Sequence, residues 1–133
     1  MSETYLLDTS ALLTLIEDED GAARVETLLK EHDILIPWLC LLELHHISQQ
    51  EQTLSEADKR YALLRATNAA VLWNANESVL LSAASYKANH KLSLADAVIA
   101  AFASTHGAVL VHKDPEYEVL QADVRLEPLP YKK

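Results

Sequence analysis

The sequence holds one cysteine, two glycines and one phenylalanine in 133 residues. A lone cysteine, Cys40, excludes an internal disulfide, and its neighbours Leu39, Leu41 and Leu42 mark it as a buried structural thiol. Two glycines leave no material for a Gly-rich phosphate loop, and there is no Gly-x-Ser-x-Gly nucleophile elbow. The His-Glu-x-x-His and Cys-x-x-Cys spacings of zinc sites are missing as well. Charges interrupt every apolar stretch well short of the roughly 20 residues that a membrane helix needs. The first residues carry acids rather than a basic start and a long apolar region, so neither a membrane span nor a signal peptide is expected, and the cytoplasm is the expected compartment. Positive charge is also scarce: 11 Lys and Arg stand against 20 Asp and Glu, a formal net charge of -9. A polyanion would find no broad basic surface here and would have to be held locally or through bound cations.

What the chain does have is apolar content of 50%, enough at this length for a substantial core. No linker, repeat or low-complexity segment divides it, so residues 1–133 are read as one domain. Short β-type runs alternate with longer helical ones. Tyr5–Leu7, Ile34–Ile36, Val71–Trp73, Ala108–Val111 and Val124–Leu129 read as strands, the last an edge strand because Pro128 and Pro130 lack amide donors. Ala11–Glu17, Ala22–Glu31, Trp38–Gln50, a segment opened by the capping box Ser55-Glu56-Ala57-Asp58 and running to about Asn68, Glu77–Asn89, and a segment from Ser93 to Gly107 read as helices. This alternation predicts an α/β fold, a three-layer α/β/α sandwich around a mainly parallel sheet of about five strands. Sites in such folds form outside the carboxyl ends of the strands, where the strand order switches.

Four acids are oddly placed for surface residues. Asp8 sits between the apolar runs Tyr5–Leu7 and Ala11–Leu13, and Asp114 follows shortly after Ala108–Val111, so the topology can bring both to one sheet edge. Glu43 shares a helix face with Leu39 and Ile47, and Asp96 is the one acid of an alanine-rich helix that is apolar nearly all round. Each also has an ordinary explanation. Asp8 can cap a helix, Glu43 can pair with a base, Asp96 stands three residues after Ser93 in a capping box, and Asp114 before Pro115 suits a helix start. Together they are better explained by a cation, because gathered carboxylates repel one another and a metal neutralises them. Oxygen-only ligands suit Mg²⁺ or Mn²⁺, which keep waters for a substrate phosphate and a nucleophile. Phosphodiester hydrolysis is the implied chemistry.

With these residues in view, the chain resembles the PIN-domain ribonucleases, and in size and element order the VapC-type toxins among them. The resemblance rests on Leu7-Asp8-Thr9-Ser10-Ala11-Leu12, on Glu43 in Leu41-Leu42-Glu43-Leu44, on Leu92-Ser93-Leu94-Ala95-Asp96-Ala97, and on Lys113-Asp114-Pro115-Glu116-Tyr117. It implies that Asp8, Glu43, Asp96 and Asp114 are metal ligands or activators of the attacking water, and that the Ser10 hydroxyl helps to arrange the site. It further implies RNA as substrate, a homodimer, and a separate antitoxin whose C-terminal segment blocks the acidic cleft. A PIN-like module that binds RNA or protein without cutting is the alternative. The family usually carries Thr or Ser two residues before the last acid, where this chain has His112. That histidine is expected to tune the site rather than abolish it.

The remaining candidates are weaker. Lys59, Arg60 and Arg65, with Lys87, Lys91 and Lys113, are candidate substrate contacts, although Glu56 and Asp58 beside the first group also suit a solvated mixed surface. Tyr61 or Tyr86 is a candidate base-stacking ring or an ordinary packing aromatic. Adjacent His45 and His46 read as surface or structural residues. Haloacid-dehalogenase and receiver patterns fit poorly, since Ser10 stands where the first needs Asp and Asn74 follows the third strand where the second needs Asp.

Overall fold

The computed structural model describes residues 3–132. Strand β1 (Thr4–Leu7) leads into helices α1 (Thr9–Ile16) and α2 (Ala22–Glu31), then β2 (Asp33–Pro37), α3 (Trp38–Glu51), α4 (Leu54–Arg65) and β3 (Ala70–Leu72). Helices α5 (Glu77–Asn89) and α6 (Leu94–Thr105) follow, then β4 (Val109–His112), a 3₁₀ turn (Pro115–Leu120) and β5 (Leu126–Pro128). The five strands form one sheet in the order β3-β2-β1-β4-β5, and each neighbouring pair is parallel. Helices flank it in an α/β/α sandwich. The expected fold class holds.

Parallel strands covered on both faces read as unbroken apolar runs. Leu6, Leu7, Leu110 and Val111 are accordingly all fully buried in the two central strands. Helix α6 buries Ala97, Ile99, Ala100, Ala101, Phe102 and Ala103, and its small side chains allow close approach to the sheet and to α5. It ends in a Schellman motif: Gly107 takes φ +61°, its amide donates to Ser104 O at 3.2 Å, and the Ala108 amide donates to Ala103 O at 2.9 Å. Cys40 is wholly buried, as its apolar neighbours imply.

Several boundaries differ from the sequence reading for identifiable reasons. Helix α4 starts at Leu54, because Thr53 and not Ser55 is the cap, its hydroxyl accepting from the Glu56 amide at 3.0 Å; the helix ends at Arg65, short of Asn68. Helix α1 begins at Thr9 with Asp8 as its cap. Strand β3 stops at Leu72, paired with Pro37 at the end of β2, which leaves Trp73 52% exposed outside the ladder. Strand β5 is shorter than Val124–Leu129, because the Val124 amide is taken by Leu120 O in the preceding turn. It does lie at the sheet edge.

The chain passes from β1 outward to β2 and β3, then returns to place β4 on the other side of β1. This is the switch in strand order, and the ends of β1 and β4 open onto the crevice beside it.

Candidate active site

Asp8 is the first residue after β1 and is only 3% exposed. Its Oδ1 accepts from the Ala11 amide at 2.8 Å, so it does cap α1. Capping leaves the rest of the carboxylate for other partners. The Ser10 hydroxyl lies 2.7 and 2.9 Å from its two oxygens. That hydroxyl also accepts from the Lys113 amide at 2.8 Å, tying the turn after β1 to the segment after β4. Burial pushes the Asp8 carboxyl up to about 7, with the charges of Asp96 and Asp114 adding to the rise against the hydrogen bonds from Ser10 and Ala11.

Asp114 lies two residues beyond β4 and caps the 3₁₀ turn, with Pro115 at its first position and Oδ1 accepting from the Glu116 amide at 3.0 Å. Asp96 sits in the first turn of α6, where its amide donates to Ser93 Oγ at 3.1 Å. Its carboxylate is turned to Tyr117, whose hydroxyl donates to Oδ1 at 3.1 Å. Burial raises the Asp96 carboxyl above the usual carboxylate range, helped by the charges of Asp114 and Glu43. Glu43, half-buried on α3, accepts from the Thr9 hydroxyl at 2.6 Å. The cationic partner that a structural role would need is missing: among the described residues no ion pair involves Glu43, Asp8, Asp96 or Asp114.

Four chain segments distant in sequence thus bring their carboxylates into mutual electrostatic range. Carboxylate oxygens of Asp96, Asp114 and Glu116 all lie within 4.8 Å of one another, a spacing that can hold a metal ion. Glu116 escaped the sequence reading. Its only signal was the Asp114-x-Glu116 spacing at the start of a turn. Thr9 and the fully buried Tyr117, which orient Glu43 and Asp96, stand in the segments around Asp8 and Asp114, but nothing in the sequence pairs them with Glu43 and Asp96. The donor set is oxygen-only and uncompensated, which fits a hard divalent cation. Lys113 does not neutralise it: its side chain is 4% exposed and turns to Asp20 O at 2.7 Å and Glu19 at 3.7 Å.

His112 is wholly buried at the end of β4. Its Nδ1 accepts from the Asp114 amide at 3.1 Å, and Tyr117 packs edge-on against it at 5.0 Å. With Nδ1 accepting, the neutral ring carries its proton on Nε2, which has no partner among the described residues. Burial holds its pKa below the ordinary histidine value, against the opposing pull of Asp114.

The other candidates lie elsewhere. Arg60 is 8% exposed, with Nη1 on Ser48 Oγ at 3.1 Å and on Glu17 at 3.4 Å, so it is a buried structural cation rather than a substrate contact. Lys87 is bonded to Leu92 O, and Arg65 covers the rings of Trp73 and Tyr61 at 5.2 and 5.9 Å. Tyr86 donates to Ser104 between α5 and α6. Tyr61, His45 and His46 line a separate apolar groove of about 530 Å³ with Trp38 and Trp73. His45 there bridges α3 to Asp58 of α4 at 2.9 Å, a structural role.

No curated protein matches the chain significantly. Among solved structures, it resembles VapBC2 from Rickettsia felis bound to a DNA fragment from its promoter, with TM-score 0.80 and 16% identity over 96% of this chain and 99% of that one. VapBC-1 from nontypeable Haemophilus influenzae is similar at TM-score 0.74 and 22% identity, over 94% and 97%. So is VapC20 from Mycobacterium tuberculosis, described as a sarcin–ricin loop cleaving toxin, at TM-score 0.71 and 15% identity over 93% and 99%. These likenesses establish the fold. The family described as PIN domain matches residues 5–122, nearly the whole span from β1 to the 3₁₀ turn and the acids it carries, and the chain belongs to that family.

Proposed function

We propose that this chain is an endoribonuclease dependent on Mg²⁺ or Mn²⁺, the toxin of a toxin–antitoxin pair. The observation that carries the reading is Asp8: a dry carboxylate pushed up to about 7 beside Asp96 and Asp114, with no cationic side chain paired to any of them among the described residues. In this reading Asp8, Glu43, Asp96 and Asp114 would hold the metal or activate the attacking water, and Glu116, with its carboxylate within 4.8 Å of those of Asp96 and Asp114, would join them. A divalent ion bound there supplies charge neutralisation at the phosphate and acidifies that water. Ser10, Thr9 and Tyr117 are positioning residues, since each touches a carboxylate and fixes its direction. Substrate binding through a metal fits the net charge of -9, because the phosphate is held at one metal-loaded point and not across a basic face.

An antitoxin partner, a homodimer and a cytoplasmic setting belong to the same reading. Relatives described as VapBC and as a toxin–antitoxin complex support the partner. The test is incubation of a pool of structured RNAs with Mg²⁺, Mn²⁺ or EDTA, beside Asp8→Asn purified identically. Cleavage is expected in metal and lost in EDTA and in the variant. RNA bound but uncut under all conditions, with affinity indifferent to chelation and to Asp8→Asn, would make the chain a binding module instead. Growth arrest on expression tests the toxin role, and light scattering at micromolar concentration tests the dimer.

A further inference from the structure

Beside the carboxylates runs a cleft of about 360 Å³, bounded by Ser10, Leu13 and Asp114 on one side and by Tyr131 and Lys132 on the other. Its second wall is the chain after β5, and that wall is fixed at four points. The Leu129 amide donates to His112 O at 2.7 Å, continuing the β4–β5 ladder by one bond. Gly21, at φ +104°, lets the chain pass so closely that a Cβ there would stand 3.2 Å from Pro130 Cδ. The Tyr131 hydroxyl donates to Glu118 at 2.9 Å, and Lys132 Nζ pairs with Glu19 at 2.8 Å. Nothing in the acidic site requires this anchoring. Its result is a half-buried aromatic ring held at a set angle beside Asp114, with the His112 ring 6.1 Å away.

Both lysines of the cleft, Lys113 and Lys132, pair with Glu19, so the charge of Asp114 at its edge is offset by no side chain and is left for a bound cation. A pre-set aromatic face next to a phosphate-binding point is the arrangement by which proteins hold unpaired bases, since any base offers a π-face.

We propose that Tyr131 is a base platform: the nucleotide adjoining the phosphate at the cation that Asp114 would help to hold stacks on its ring, so the cleft is a subsite for an unpaired base. This rests on the ribonuclease reading for the identity of the substrate. It extends that reading by naming where specificity for single-stranded RNA is exerted.

The test measures binding by fluorescence anisotropy in Ca²⁺, using a labelled RNA octanucleotide and its abasic counterpart. Intact protein and Tyr131→Phe are expected to favour the base-bearing strand by roughly ten-fold, the size of one stacking contact. Tyr131→Leu keeps apolar bulk without a π-face and is expected to bind both strands alike. A base preference that survives in Tyr131→Leu, or equal binding of both strands by intact protein, overturns the platform. Cleavage of the RNA pool is scored in parallel and separates the two ideas. Metal-dependent cleavage with a preference indifferent to residue 131 sinks the platform alone; a Tyr131-dependent preference without cleavage sinks the nuclease alone.

Discussion

Ser10 joins Asp8 to the segment that follows the neighbouring strand β4: one hydroxyl lies 2.7 Å from the Asp8 Oδ1 and accepts from the Lys113 amide at 2.8 Å. The carboxylate after β1 and the carboxylate after β4 therefore keep a fixed relation across two strands that are parallel neighbours. Ser10→Ala leaves the Lys113 amide without its acceptor and Asp8 with the Ala11 amide but without its hydroxyl donor. It is expected to cost about 1–2 kcal/mol in urea unfolding and to slow cleavage, while Ser10→Thr, which keeps the hydroxyl, retains most of both. Equal rates for Ala and Thr would deny Ser10 a positioning role.

Asp8 makes metal-free stability depend on pH. Its folded pKa, about 7, lies above the ordinary 3.8, so folding favours the protonated acid. The stability is full below about 4, falls as pH rises toward 7 and is lost above it, by an amount on the order of a few kcal/mol. His112 works in the opposite direction, its lowered pKa weakening the fold as pH falls. The difference in melting temperature between the wild type and Asp8→Asn isolates the Asp8 part. In EDTA that difference should favour the variant at pH 8 and shrink at pH 5, and saturating Mg²⁺ should raise the wild type alone.

Glu116 is exposed, yet its carboxylate belongs to the group formed with Asp96 and Asp114. Glu116→Gln keeps the shape and removes the charge. Mn²⁺ affinity by calorimetry is expected to fall several-fold, with melting temperature unchanged, whereas Glu77→Gln on the exposed start of α5 should alter neither.

His112→Thr restores a small hydroxyl near the Asp114 amide but leaves a cavity in a fully buried position. A loss of about 1–3 kcal/mol is expected, together with a weaker dependence of rate on pH below the ordinary histidine range. Activity should change without disappearing. Unchanged metal affinity, rate and pH profile would show that the ring does not tune the site.

Arg60 gives the contrasting case. Arg60→Ala strips Ser48 and Glu17 of a partner in the interior and is expected to lower stability by about 2–3 kcal/mol, read by urea unfolding. RNA affinity of the folded variant should match the wild type, because the guanidinium does not face the carboxylate cleft.

These residues also mark how far the sequence could be read. Sheet and helices were legible because burial on both faces forces unbroken apolar runs such as Tyr5–Leu7 and Val109–Val111, and because an alanine-rich helix ending at Gly107 has few other uses. The placement of Asp8 and Asp114 near one sheet edge followed from each standing just after a strand of a parallel sheet, whose carboxyl ends share that edge. The cap of α4 was misread because Thr53-x-x-Glu56 and Ser55-x-x-Asp58 obey the same pattern two residues apart, and only the path of the chain into the helix separates them.

Local chemistry therefore determined the element types, the parallel α/β architecture and the four acids that interrupt apolar segments. Tertiary structure alone decided that Arg60 is buried, that Lys113 turns from the cluster to Asp20, that Tyr117 and Thr9 orient Asp96 and Glu43, that Glu116 joins the group, and that Tyr131 borders it. The physical reason is range. Periodicity and capping act over a few residues and are written in the chain, whereas Thr9 meets Glu43, and Ser10 the Lys113 amide, only after the sheet has aligned segments far apart in sequence.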